Sequence, residues 1–294
     1  MTVREITDTP AGWRMLLRAG LPSIPVVRSV PGVAKTGTSL PDLTLLRRGV
    51  TLDPDHVTAY GKVCGFLRRE TVPVTYPHLL GFGLQMALMS DPSFPHTPVG
   101  SVHLRNTITT HRPIGLSETL EVRVHATNQR PHPKGVVYDV VTSISAEEGP
   151  DESAVWEETS TYLRPGNRHP DAEQVTGPLD VLPTGIEWRL PADLGRSYAS
   201  VSGDHNPIHL TALTAKAFGF PRQIAHGMWS KARCLAALDG RVPEAARIDV
   251  VFKKPILLPA TVGFGSVIEG STIGFGLTSP SGKAHLAGTV EPVA

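Results

Sequence analysis

The chain of 294 residues is 40% apolar and 19% charged, and its formal net charge at pH 7 is +1. This length suits one large domain or two modest ones, and the near-neutral charge argues against nucleic-acid and membrane-surface partners. No apolar run approaches the roughly 20 residues that a membrane helix needs, and the charged N-terminus lacks the apolar core of a signal peptide. Cys64 and Cys234 lie in apolar helical patterns, which favours buried thiols in a reducing cytoplasm.

The first half of the chain predicts two helices followed by three or four strands. Asp53 and Pro54 are typical of a helix start, as the N-cap and the first helical residue. Residues 77–89 are apolar nearly all round, which indicates a buried helix. β-branched residues in partial alternation then predict strands at 99–109, 118–126, 136–145 and 154–163. Residues 164–185 contain four prolines and little apolar pattern, which is typical of a linker.

The second half repeats this order of a helix, a buried helix and strands. Residues 194–201 present one helical apolar face, and residues 225–238 form a second apolar helical pattern. Strands are predicted at 247–252, 261–269, 271–278 and 284–290. A repeated order of elements indicates that one structural unit has been duplicated.

Two short sequence matches support that duplication. Residues 60–65 align with 198–203 at an offset of 138 residues. Residues 112–116 align with 254–258 at an offset of 142 residues. The alternative is chance similarity between two α+β segments, but the similar offsets and the shared element order favour a true repeat.

The predicted organisation is therefore two repeats joined by a linker. The N-terminal repeat takes residues 1–163 and the C-terminal repeat takes 186–294, with 164–185 between them. In each repeat a long buried helix is expected to be wrapped by an antiparallel sheet, because such a sheet can bury one face and expose the other. The predicted fold class is α+β.

An acid and an imidazole lie five residues apart in the second repeat. Asp204 lies within the sequence Gly203-Asp-His-Asn-Pro207, and His209 follows shortly after it. One alternative is that this pentapeptide only builds a tight turn. At the offset of 138 the first repeat has Phe66 and Thr71 in their places. Because the first repeat keeps the scaffold without these side chains, the pair favours chemistry, with one site per chain.

His226 and Gly227 open the next apolar helix. The simplest interpretation is an ordinary helix cap, and the functional interpretation is an oxyanion site. The first N–H groups of a helix lack intrahelical partners and carry the positive end of the dipole. A glycine at that point allows a carbonyl oxygen to approach closely.

Other chemistries are less favoured by the same residues. Asp204, His205, His209 and His226 are all metal-ligand types, but Pro207 interrupts a regular helical pair of histidines. We therefore predict no metal, an exposed or supporting His205, and an Asn206 that holds the turn or orients Asp204. Nucleophilic catalysis is not favoured, because neighbouring serines lack a nucleophile-elbow pattern.

A basic group of three residues, Arg222, Lys253 and Lys254, has two interpretations. It is either a solvated face or a contact for the phosphate groups of an acyl carrier. The sequence leaves both open.

Two motifs resemble those of the MaoC-like (R)-specific enoyl-CoA hydratases, also called hydratase 2. They are Ser202-Gly-Asp-His-Asn-Pro-Ile-His209 and Ala225-His-Gly-Met228. The resemblance covers roughly residues 187–293. The first half is similar only to the inactive repeat of the double-hotdog members, the (3R)-hydroxyacyl-thioester dehydratase type. The resemblance implies a double hotdog fold, a thioester substrate and no cofactor.

The resemblance also implies the roles of the site residues. Asp204 and His209 would be the catalytic pair, the Gly227 amide would bind the thioester oxygen, and His226 and Asn206 would support substrate binding. The implied reaction is syn hydration and dehydration between trans-2-enoyl and (3R)-3-hydroxyacyl thioesters, carried by coenzyme A or acyl carrier protein, in fatty-acid metabolism. The alternatives are a hotdog acyl thioesterase and a non-catalytic acyl-thioester binding module. Homodimer formation stays open.

Overall fold

The computed structural model describes residues 2–7, 35, 37–147, 153–177 and 185–293. The strands are β1 (Thr2–Glu5), β2 (Leu43–Val50), β3 (Val102–Thr110), β4 (Leu120–His132), β5 (Gly135–Ala146), β6 (Trp156–Pro165), β7 (Ile186–Leu190), β8 (Ala246–Phe252), β9 (Ala260–Glu269), β10 (Thr272–Thr278) and β11 (Ala284–Pro292). The helices are α1 (Pro54–Cys64), α2 (Pro77–Ser90), α3 (Leu194–Ser202), α4 (Pro207–Leu210), α5 (Ala212–Ala217) and α6 (Gly227–Ala237).

The described residues pack into two compact units, and neither unit is a continuous stretch of chain. The first unit draws on Met1–Thr51, His78–Leu104 and Glu118–Val175, and the second draws on Leu52–Pro77, Arg105–Ser117 and Thr176–Ala294. Segments of the first sequence repeat therefore pack within the second unit. The predicted division at residues 163 and 186 describes the sequence repeats and stays a prediction as a division into domains.

The first unit has the strand order β1-β2-β4-β5-β6. β1 and β2 are parallel, and the remaining neighbours are antiparallel. Helix α2 lies close against β5, because a Cβ on Gly81 would come within 2.6 Å of the Thr142 methyl group. The buried helix predicted at 77–89 is thus confirmed, with glycine allowing its close approach to the sheet.

Helix α2 also buries a polar cluster that its apolar pattern does not predict. The Nδ1 atom of His78 lies 2.8 Å from a carboxylate oxygen of Glu158, whose side chain is fully buried. Gln85 donates to Thr142 Oγ1 at 3.0 Å and to Glu158 at 2.9 Å. These bonds compensate the cost of placing a carboxylate in an apolar core.

The second unit has the strand order β3-β8-β11-β10-β9-β7, with antiparallel neighbours throughout. Helix α6 packs near β3 and β8 and carries Lys231, which is completely buried. Its Nζ donates to the Asn106 carbonyl at 3.1 Å, to Asn106 Oδ1 at 2.5 Å and to the Ile248 carbonyl at 3.2 Å. Three acceptors match the three protons of an ammonium group, so this lysine fixes α6 on the two strands.

The sequence repeat corresponds to a repeat of local structure. Helices α1 and α3 end at Gly65 and Gly203, which adopt left-handed backbone conformations with φ of 89° and 74°. Such a C-terminal residue favours glycine because a Cβ is strained there. The predicted N-cap Asp53 is confirmed, since its carboxylate accepts from the Asp55 amide at 2.9 Å.

The structure corrects one position in the alignment of the repeats. Thr71 forms an isolated bridge with Gly115, and the equivalent bridge in the second repeat joins Ile224 to Leu257. Thr71 therefore corresponds in position to Ile224 and not to His209. The reason is length: α4 and α5 occupy extra chain between the end of α3 and the start of α6, and a constant offset does not hold across that insertion.

Three strands are not predicted from the sequence, namely β1, β2 and β7. β4 extends to His132 rather than ending at 126, and β6 includes the first two residues of the predicted linker. Linker residues 178–184 lie outside the described residues.

Cys64 and Cys234 are buried free thiols as predicted, and burial raises the pKa of both. Among the described helices, none has the length and apolarity required to cross a membrane.

Lys231→Met should lower the free energy of unfolding by about 3 kcal/mol, because it leaves three buried acceptors without their donor. The measurement is urea unfolding followed by circular dichroism. Lys216→Met makes the same change at an exposed lysine of α5 and should stay within about 0.5 kcal/mol of wild type. Identical unfolding of the Lys231 variant and wild type would contradict the assigned role.

Candidate active site

The turn after α3 places the carboxylate of Asp204. Its amide donates to Ser202 Oγ at 3.2 Å, and its Oδ1 accepts from the Asn206 amide at 3.0 Å. This local turn is the short-range hydrogen bonding that aspartate favours. The Asp204 side chain is 28% exposed, so one end of the carboxylate is held by the backbone while the group stays accessible.

Helix α4 places the imidazole of His209. Pro207 begins this short helix, and Asn206 caps it by accepting from the Ile208 amide. His209 is buried, and its Nδ1 lies 2.8 Å from the Ile224 carbonyl oxygen. A carbonyl oxygen only accepts, so Nδ1 carries the proton and donates. In the neutral ring Nε2 is then the atom with the lone pair, which is the form that a general base requires.

His226 and Gly227 lie at the start of α6, where the sequence predicts them. His226 is the N-cap residue, with an extended backbone at ψ of 137°. Its Nε2 donates to the Asp204 carbonyl oxygen at 3.0 Å and lies 3.7 Å from Asp204 Oδ2. Gly227 is the first helical residue, and a Cβ there would lie 3.1 Å from the Phe252 ring. The first amides of α6 have the helix-end geometry that binds a developing negative charge.

The acid and the two imidazoles converge. One ligand-type atom from each of Asp204, His209 and His226 lies within 4.8 Å of the other two. The rings of His209 and His226 stack, with centroids 3.7 Å apart and planes inclined by 27°. Burial lowers the pKa of His209, although the Asp204 charge and the Ile224 carbonyl oppose the shift. The same desolvation lowers the pKa of His226 to about 3.

Asp204, His209 and His226 are also residue types that bind metal ions. The orientation of the two imidazole rings, however, does not allow both to bind the same ion. A metal lies about 2 Å from a ligating nitrogen, along the lone pair in the plane of the imidazole. Two stacked rings inclined by 27° share no such point. One nitrogen of each ring is in addition bonded to a carbonyl oxygen. The arrangement fits hydrogen bonding and proton transfer better than metal binding.

The remaining predicted residues take peripheral positions. His205 is exposed, and the side chain of Asn206 caps α4, while only its backbone amide bonds to Asp204. Arg222, Lys253 and Lys254 are exposed.

Sequence reasoning missed two contributors to the site. One is the backbone carbonyl of Ile224, which orients His209. Every residue has such a carbonyl, so the sequence carries no signal for this contact. The other is Tyr198, whose ring centroid lies 4.9 Å from that of His226. Tyr198 belongs to the segment 198–203 that repeats residues 60–65, and this repeat is the sequence signal that indicates a buried residue.

Comparison with known proteins identifies the family to which the chain belongs. Residues 175–286 match the MaoC like domain family. The chain is 38% identical over 288 residues to 3-hydroxyacyl-thioester dehydratase X of Mycobacterium tuberculosis, with 96% of this chain and 98% of that protein covered. The crystal structure of HtdX from the same organism has a TM-score of 0.74 at 36% identity, covering 85% of this chain and 100% of that chain. A MaoC-like dehydratase from Phytophthora capsici has a TM-score of 0.67 at 20% identity, covering 86% and 96%.

The chain therefore belongs to the MaoC-like dehydratase family, and it is an enzyme of the hydro-lyase class. The predicted α+β double hotdog fold is confirmed by the two units, each with a long helix and a sheet that is antiparallel apart from the β1–β2 pair, and by the fold of the related structures. The individual site residues remain proposals, which the geometry above supports.

The stability of the protein should fall as the pH falls below about 6.5. His226 has a pKa of about 3 in the folded protein and an ordinary value near 6.5 when unfolded, so the unfolded state binds one more proton between these values. Through this residue alone, the free energy of unfolding should fall by about 1.2 kcal/mol between about pH 6 and pH 5. Unfolding by urea at several pH values measures the slope. His226→Gln should have a shallower slope, and equal slopes would contradict the assignment.

Proposed function

We propose that this chain catalyses the reversible syn addition of water to trans-2-enoyl thioesters, giving (3R)-3-hydroxyacyl thioesters. One observation carries the proposal. The neutral His209 imidazole presents an unprotonated Nε2 beside the Asp204 carboxylate, and both lie next to the start of α6. An acid, a base and an oxyanion donor are what addition to a conjugated thioester requires. The 3-hydroxyacyl-thioester dehydratase of M. tuberculosis, which this chain resembles over nearly its full length, supports the substrate class.

In the hydration direction, the proton moves between water and C2 by way of His209. The Nε2 atom accepts a proton from the water as the water oxygen bonds to C3. The C2–C3 π electrons move toward C2 and the thioester oxygen, which gives an enolate. The imidazolium then returns its proton to C2. Because one ring takes and returns the proton on one face of the substrate, the addition is syn. Dehydration is the same path in reverse.

Asp204 and Gly227 stabilise the charges that form. The Asp204 carboxylate lies close enough to raise the pKa of His209, opposing the effect of burial, and so favours the imidazolium. The Gly227 amide at the start of α6 donates to the thioester oxygen as it becomes negative. One such donor is worth roughly 3–4 kcal/mol of barrier. The lowered pKa of His209 keeps the ring neutral, and hence basic, at pH 7.

Asp204→Asn and His209→Ala should each reduce kcat by roughly 10²–10⁴, because each removes a proton-transfer group or its charge partner. The assay follows loss of the conjugated-enoyl absorbance of crotonyl-CoA and of a longer trans-2-enoyl-CoA. The stereochemistry of the 3-hydroxyacyl product identifies the R isomer. His205→Gln, at an exposed neighbour, is the matched control and should keep wild-type activity.

The same assay separates the competing functions. Release of free thiol without loss of the double bond would indicate a thioesterase. Tight binding with no turnover, unchanged in the Asp204 and His209 variants, would indicate a binding module. Either result would contradict the hydratase proposal.

The exposed cations near α6 support a phosphate-bearing carrier as part of the substrate. Phe252 faces Gly227, and Lys253 and Lys254 follow it directly. Both coenzyme A and the carrier protein prosthetic group bear phosphate, which lysine binds as a point charge. Comparison of one acyl chain on the two carriers decides between them.

Lys254→Glu should raise KM for the coenzyme A thioester roughly fivefold and leave kcat unchanged, because about 1 kcal/mol of binding is lost without a change in the reacting groups. Lys134→Glu reverses the charge of an exposed lysine in the β4–β5 turn and should leave KM unchanged. An equal KM in wild type and Lys254→Glu would contradict a phosphate contact at this position.

A further inference from the structure

His226 is connected to each part of the candidate site. Its Nε2 bonds to the backbone carbonyl of Asp204 at 3.0 Å, and its ring stacks on that of His209 with centroids 3.7 Å apart. The next residue is Gly227, whose amide begins α6. The side chain is only 2% exposed. The proposed carboxylate, the proposed base and the oxyanion helix therefore all meet at this one ring.

The nitrogens of His226 are not available to donate to a substrate. Because Nε2 donates to a carbonyl oxygen, it carries the proton, and Nδ1 holds the lone pair. Nδ1 is buried and has no hydrogen-bond partner among the described residues. A ring in this state has no second N–H for a thioester oxygen. The geometry thus argues against the oxyanion or substrate-binding role expected for His226 from the sequence.

We propose instead that His226 is a positioning residue, whose ring face and Nε2–H hold His209 and Asp204 in their productive arrangement at the start of α6. The proposal rests on the proposed function, since it assigns a role within that reaction. Two contacts carry it, the bond to the Asp204 carbonyl and the stack on His209. Misplacement of reacting groups by about 1 Å can cost roughly a hundredfold in rate, so such a contact matters without touching substrate.

The charge state of His226 suits this role. The ring is faced by Asp204 and His205 from the turn, by His209 of α4 and by Tyr198 of α3. Burial, followed by the effect of His209, lowers the pKa of His226 to about 3, so it stays neutral across the working range. When His209 becomes an imidazolium, its stacked neighbour adds no second positive charge. The ring also covers one face of His209 and shields it from water.

Two substitutions separate the two contacts. His226→Gln keeps an N–H at the depth of Nε2 and removes the ring, whereas His226→Phe keeps a ring and removes the donor. Each should lower kcat about ten- to a hundredfold, with KM within about twofold of wild type. In His226→Gln the acidic limb of the kcat/KM profile should shift to higher pH, because hydration of His209 returns its pKa toward the ordinary value. In His226→Phe the limb should stay in place.

The control for both variants is His169→Gln, at an exposed histidine outside the candidate site, which should match wild type in kcat and in the pH profile. Folding is checked by circular dichroism and thermal unfolding, and rates are corrected for the folded fraction. Wild-type kcat in both variants would overturn the proposal. So would a loss of activity that merely follows the unfolded fraction, with the acidic limb unmoved in His226→Gln.

A measurement that does not depend on catalysis tests the role of His226 independently of the proposed function. Nuclear magnetic resonance titration of the His209 imidazole should give a higher pKa in His226→Gln than in wild type and in His226→Phe. If wild type hydrates no thioester but this difference appears, the reaction proposed above fails, while the control of the His209 environment by His226 is still supported. Equal His209 pKa values in all three proteins would overturn the positioning role.

Discussion

The hydrogen bond from His209 Nδ1 to the Ile224 carbonyl is the constraint on which the proposed chemistry depends. An imidazole can act as a base only through its unprotonated nitrogen, and this bond at 2.8 Å makes Nε2 that atom. The strand-like bridge between Ile224 and Leu257 holds the carbonyl in place. A backbone group held by a β-bridge moves less than a side chain would, so the backbone sets the tautomer of His209.

The duplicated architecture explains why one repeat can carry the proposed chemistry and the other cannot. Both repeats keep a helix that ends at a left-handed glycine, a bridge and a central helix. Only the second inserts α4 and α5 between the first helix and the central one. His209 lies on that insertion, in α4, and Asp204 lies in the turn that leads into it from α3. The scaffold is shared, and the proposed reactive groups lie on the added segment and on the turn before it.

Much of the fold was accessible from sequence because its signals are local. Apolar periodicity identified α2 and α6, and Asp53 with Pro54 marked the start of α1. β1 and β7 were not predicted because a short strand at a sheet's end depends on its neighbour more than on its own pattern. β2 was not predicted because four buried residues in a row, Leu43–Leu46, lack the alternation of a half-buried strand. The predicted site residues Asp204, His209 and His226 do converge. The roles of Ile224 and Lys231 could not be predicted, since they depend on a backbone carbonyl and on the contacts of one buried amine.

The most direct test of the account is hydration of a trans-2-enoyl thioester in deuterium oxide, followed by determination of the relative configuration at C2 and C3. If one face of the site supplies both the oxygen and the proton, as the shared position of Asp204 and His209 beside α6 implies, deuterium at C2 lies syn to the hydroxyl at C3. A single syn product in the R configuration would agree with the account. Deuterium placed anti, or scrambled between the two C2 positions within one turnover, would contradict it.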